Sequence, residues 1–138
     1  VEADLEIFEE PDTVEIRTTK SNDVRDMLRY GIFKFEIDRK PCELTAYRVL
    51  PVERTNALFV PFIDETCGSS SYEGGRYLDI ELKENSTEYI IDFNYAYNPY
   101  CVYNKRYSCP LVPDENHLDV AIKAGEKNYK KDANSSRY

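Results

Sequence analysis

The sequence contains no tryptophan, one methionine (Met27), one histidine (His117) and only five glycines in 138 residues. Positive charge is also scarce: 18 lysines and arginines stand against 26 aspartates and glutamates, a net charge of -8. That balance argues against a surface that tracks nucleic-acid phosphates, which requires a basic face. No apolar run approaches the roughly 18 to 20 residues that cross a bilayer as a helix, so no membrane span is expected. No two cysteines stand two to four residues apart, as in zinc knuckles, and a lone histidine does not make up the deficit, so no metal is expected. No stretch of eleven or more residues keeps apolar positions at helical spacing, which excludes a helix bundle. No nucleotide fingerprint or other cofactor motif is present, since no helix follows the one Gly-Gly pair.

What is there is a chain 41% hydrophobic, enough for one core and one domain spanning residues 1–138. Short alternating or β-branched runs recur throughout, which predicts an all-β fold. The expected architecture is an antiparallel sandwich or partly open barrel of about seven to nine strands with a long irregular excursion. Asp4 to Phe8 and Thr13 to Arg17, separated by Glu-Glu-Pro-Asp, read as a hairpin. Tyr30 to Asp38 and Cys42 to Leu50 follow as strands. Leu58 to Ile63 is the most apolar run, although Pro61 cannot donate to a ladder and predicts a bulge or an unpaired side. Arg76 to Leu82 alternates and pairs in this reading with Tyr89 to Phe93 as a hairpin. Leu118 to Lys123 is the expected last strand, and about 127 to 138 a frayed polar tail. The sequence begins at Val1, which predicts a trimmed or processed form and gives no localisation signal; cytoplasmic and exported readings stay equally open.

Two segments concentrate the chemistry. Residues 64–75 hold three of the five glycines and three consecutive serines, a long loop that leads through Gly74-Gly75 to Arg76. A Gly-Gly step lets a backbone approach a ligand, and the Arg76 fork suits a carboxylate or phosphate; the plainer reading is a tight turn with Arg76 paired to one of the many acids. Residues 94–117 carry Tyr95, Tyr97, Tyr100, Tyr103 and Tyr107, five of the twelve tyrosines, interleaved with Asn94, Asn98 and Asn104. Stacking faces beside amides make a binding surface, or else a self-packed loop. Cys101 and Cys109 lie eight positions apart there. With Cys42 and Cys67 they allow three disulfide connectivities, and the alternative is four reduced thiols packed as small apolar groups. Cys101 with His117 as base is a candidate nucleophile pair, and Asp79 with Asp92 a candidate carboxylate pair for acid-base work.

The motifs Leu58-Phe-Val-Pro-Phe-Ile-Asp64, Tyr72-Glu-Gly-Gly-Arg-Tyr-Leu-Asp79, Asp92-Phe-Asn-Tyr-Ala-Tyr-Asn-Pro-Tyr-Cys101, Tyr107-Ser-Cys-Pro110 and Ala124-Gly-Glu-Lys127 resemble the DUF1684 family. The likeness is dense from residue 58 to 127 and thinner before it, through Thr18-Thr19, Tyr30-Gly31 and Phe35. Glu73 departs from the glycine expected before the Gly-Gly pair, which weakens any argument for an unhindered backbone there. The family is a bacterial and archaeal domain of unknown function, so the resemblance implies location and no reaction; its members generally carry a further N-terminal segment. The leading functional expectation is non-catalytic binding of a small polar or anionic ligand, or of a protein partner, through Arg76, Asp79, Asn94, Tyr97 and Asn98. The alternatives are an enzyme using Cys101 or the Asp79/Asp92 pair in the same cleft, and a structural or interaction domain.

Overall fold

In a computed structural model, which describes residues 1–128, the protein has six strands: β1 (Glu2–Arg17), β2 (Val24–Ile37), β3 (Lys40–Val49), β4 (Ala57–Phe62), β5 (Arg76–Glu81) and β6 (Glu88–Ile90). Short 3-10 turns at Val52–Arg54, Phe93–Tyr95, Tyr100–Val102 and Asp114–Asn116 interrupt the connections. The strands form one antiparallel sheet in the order β5-β4-β3-β2-β1-β6, curved into a half-barrel. The all-β class and the partly open barrel stand. The tail expected to fray lies, from 129 onward, outside the described residues.

The strand count is six instead of seven to nine, for two physical reasons. The expected hairpin around Pro11 is one long strand: β2 is long enough to pair with both halves of β1, and the extra residues are absorbed as a register slip between Ile7 and Asp12. Leu118 to Lys123 is not a strand; it runs irregularly along the loop after β4, through Glu65 N to Val120 O (2.9 Å) and Leu118 N to Ile63 O (2.7 Å). The expected hairpin of Arg76 to Leu82 with Tyr89 to Phe93 is also replaced. β5 pairs with β4, whereas β6 pairs with β1 at the opposite edge of the sheet. Alternation identifies a strand but does not choose its neighbour.

Alternation does sort the side chains into two clusters. Along β4 and β5, Leu58, Val60, Phe62 and Leu78 enter the main core with Phe33, Leu44, Ile91 and Phe93, while Phe59 and Tyr77 enter a second cluster with Ile16, Met27, Tyr47 and Cys109. The irregular C-terminal stretch closes the main core with Leu118, Val120 and Ile122. The 94–117 excursion covers the second cluster with Tyr97, Cys101 and Cys109.

The β3–β4 seam shows how Pro61 is accommodated. One residue pair defines the register: Tyr47 faces Phe59 in an antiparallel pairing, which brings Thr45 opposite Pro61. Pro61 has no N–H for the Thr45 carbonyl. The Asn116 side chain enters instead: its Oδ1 accepts from Thr45 N (2.7 Å), and its Nδ2 donates to Thr45 O (2.9 Å) and Pro61 O (2.7 Å). A side-chain amide thus replaces a peptide group in the sheet.

Candidate functional site

Arg76 enters β5 from Gly75, whose φ of +96° and whose position, with a Cβ only 2.5 Å from Phe62 O, both require glycine. The guanidinium then turns inward and is fully buried. Nη1 donates to the carbonyls of Ala124 (2.5 Å) and Glu126 (3.2 Å), and Nη2 to Ile122 O (2.8 Å) and Asp64 Oδ1 (3.4 Å). Asp64, also buried, accepts further bonds from Thr66 Oγ1, Cys67 Sγ and Ile122 N. Arg76 is therefore a clamp that ties residues 122–126 to the sheet, and it presents no charge to a ligand. Asn98 is likewise internal: its N donates to Glu126 Oε1 (2.7 Å) and its Nδ2 to Tyr103 Oη (3.0 Å) and Lys127 O (2.9 Å). Both residues were expected to contact ligand; burial in internal bonds removes both from that role. The 64–75 loop is closed on itself as well, with Gly68 N bonded to Ser71 O and Ser71 N to Thr66 O.

Asp79 and Tyr97 do come together. The backbones of Tyr77 and Tyr97 pair reciprocally (2.8 and 3.0 Å), which carries the excursion back across β5. Tyr97 Oη donates to Asp79 Oδ2 at 2.8 Å on an exposed surface. Tyr97 meets Tyr77 edge-on at 5.7 Å, Tyr77 meets Phe59 at 4.8 Å, and Tyr100 meets Tyr107 at 5.5 Å. These rings line a groove of about 970 Å³ over the second cluster, with Met27 also in its lining, and Arg25, Arg54, Asp26 and Asp79 as its charged members. Tyr100 and Tyr107 are 62% and 52% exposed, so their faces remain available. The return of the excursion is fastened to the β1–β2 turn by a Thr18–Pro110 bridge and by Ser108 Oγ bonds to Thr18 and Asp23.

The other expected residues are dispersed. Asn94 lies in the turn Phe93–Tyr95, where its N–H is accepted by Asp92 Oδ1 (3.0 Å), so Asp92 serves as a cap instead of facing Asp79 across a hairpin. His117 is exposed and lines a separate trough with Lys40 and Asp119. Cys101 instead neighbours Cys109, Thr19 and Tyr72. Burial first, and then the hydrogen bond with Cys109, push the Cys101 thiol up to about 11, the opposite of what an activated nucleophile needs. Among the described residues, no group of three or more His, Cys, Asp or Glu side chains is placed to hold a metal ion, and no helix is long and apolar enough to cross a membrane. Phe59, Arg25 and Arg54 were missed as site residues; the one available signal was Phe59, an aromatic on the strand face opposite Leu58 and Val60.

Tyr97, Tyr77 and Tyr47 are all held above the ordinary phenol range. Burial is the main cause in each, joined by the Asp79 bond for Tyr97, nearby thiols for Tyr77 and the Glu115 bond for Tyr47. A raised phenol favours the neutral form in the folded state, so its contribution to stability is complete below the unfolded value near 10 and is lost as pH rises above it. Spectrophotometric titration should therefore show these three phenols ionising at higher pH than the exposed tyrosines, and the urea midpoint should fall steadily above about pH 10. Complete ionisation of all twelve tyrosines in one step near pH 10, with the fold intact, would contradict this placement.

The fold and the groove define an all-β half-barrel domain with an aromatic groove on one face. The family described as "Protein of unknown function (DUF1684)" matches residues 1–127, and the chain belongs to that family. Its fold is similar to the solution NMR structure of the uncharacterized protein from gene locus rrnAC0354 of Haloarcula marismortui. The two are 38% identical, with a TM-score of 0.75 over 92% of this chain and 69% of that one. No curated protein matches the chain.

Proposed function

We propose that the groove binds a small, neutral, polar ligand with a flat apolar face, of the pyranose class, and holds it without chemistry. The observation that carries this reading is the juxtaposition of exposed tyrosine faces with the Tyr97–Asp79 hydrogen bond in one concavity. Tyrosine rings offer apolar faces at low entropic cost, and a carboxylate beside them accepts from hydroxyl groups. The removal of Arg76 to the interior takes away the cation an anionic ligand would have used. Arg25 and Arg54 are offset by Asp26 and Asp79, which favours a ligand without net charge.

Amide shift mapping with glucose, N-acetylglucosamine and cellobiose at millimolar concentration tests it. The expected result is a set of saturable shifts confined to Asp79, Tyr97, Tyr100, Tyr107 and their neighbours, with Tyr100→Ala weakening binding about tenfold because it removes a stacking face. Shifts centred elsewhere, or none across the panel, would sink the reading.

A further inference from the structure

We propose that Cys101 and Cys109 are a reversible dithiol–disulfide pair whose closure fastens the Tyr100–Tyr107 wall of the groove to the turn between β1 and β2. The inference stands whatever the groove binds. All four cysteines are free thiols, but only this pair is assembled. Cys101 N donates to Cys109 Sγ at 3.3 Å, and the two thiols lie close enough to hydrogen-bond to each other. Cys42 belongs to the main core and Cys67 is bonded to Asp64, so neither competes.

Cys109 is the fixed half. Its N–H donates to Thr19 Oγ1 (3.2 Å) and its carbonyl accepts from Thr19 N (3.0 Å), which holds it against the end of β1. Cys101 is the half carried by the wall: it sits in the turn Tyr100–Val102, next to Tyr100, and the chain from there to Tyr107 is exposed apart from Cys101 and Val102. A bond between the two would tie an exposed loop to a strand end at the groove that Tyr100, Tyr107 and Cys109 line.

Cys101 is half-buried and Cys109 buried, so an incoming low-molecular-weight disulfide meets Cys101 first. The Cys101 thiolate attacks one sulfur of that disulfide, forming a mixed disulfide and releasing one small thiolate, which takes up the Cys101 proton. The Cys109 thiolate then attacks the Cys101 sulfur and expels the second small thiolate, which takes up the Cys109 proton. The net exchange oxidises two protein thiols to one disulfide and reduces the small disulfide to two thiols. Because the Cys101 thiol is pushed up to about 11, closure should be slow near neutral pH and accelerate about tenfold per pH unit below that value.

The test uses the full chain incubated with oxidised glutathione at about pH 8.5, then alkylated in denaturant and cleaved with trypsin, which cuts at Lys105 and Arg106 between the two cysteines. The expected result is loss of two of the four thiols, with the Cys101 and Cys109 peptides joined at a mass about 2 Da below their sum. Dithiothreitol restores all four, and the oxidised protein melts at least about 5 °C higher. Cys109→Ser should stop at a glutathione adduct on Cys101, and Cys101→Ser, at the less buried position, should give no cross-link. Four alkylatable thiols after full incubation, a linked pair containing Cys42 or Cys67, or a persistent glutathione adduct in the parent protein overturns the proposal.

Discussion

Arg76→Ala should destabilise the domain by about 3 to 5 kcal/mol, the cost of breaking a buried ion pair by removing one partner. Asp64 would keep only its neutral donors, and the carbonyls of Ile122, Ala124 and Glu126 would lose the guanidinium that bridges them. Against a typical total of about 5 to 15 kcal/mol, this approaches loss of the fold. Gly125 shows how closely the clamp is built: its φ is +85°, and a Cβ there would lie 3.0 Å from Arg76 Nη1 and 2.8 Å from Phe93 O. Arg76→Lys should recover little, because one ammonium on a flexible stem does not reproduce a planar fork directed at three carbonyls. Removing both charges in Asp64→Asn/Arg76→Met should cost less than the sum of the single changes. Guanidinium denaturation of the parent, Arg76→Ala, Arg76→Lys, Asp64→Asn, Arg76→Met and the double variant measures this. An Arg76→Ala protein within about 1 kcal/mol of the parent would rule out the clamp.

Asn116→Ala should cost about 2 to 4 kcal/mol, although the residue lies in a short turn that would ordinarily tolerate change. Its amide is fully buried and satisfies Thr45 N, Thr45 O and Pro61 O together. Asn116→Asp should be no better, since a carboxylate can accept from Thr45 N but cannot donate to either carbonyl. The cause can be isolated. Pro61→Val restores the N–H that faces Thr45, so in the Asn116→Ala background it should recover stability that it does not add to the parent, with a coupling of at least about 1 kcal/mol. Additive effects of the two changes would mean that Asn116 does not stand in for the missing donor.

Both residues show where reading along the chain stops. Arg76 after two glycines is a reasonable anion site as a sequence, and it becomes a structural clamp because Asp64 and three carbonyls from residues 122–126 converge on it. Asn116 attracts no notice in Pro-Asp-Glu-Asn-His, yet the deficit it fills was visible at Pro61. Asp79 and Tyr97 were selected as site residues from composition and alternation, and they do share a hydrogen bond in the groove. Asp92 and Asn94 were selected on the same grounds and cap a turn instead.

The sequence by itself determined the all-β class, the alternation of β5, and the concentration of tyrosine and cysteine in one excursion, because side-chain alternation and composition are local properties. Only the tertiary structure decided that β6 pairs with β1, that Arg76 and Asn98 point inward, and that Cys101 meets Cys109. Those outcomes depend on which strand edges and carbonyls meet across long stretches of chain, and neither residue type nor spacing encodes that separately from the packed core.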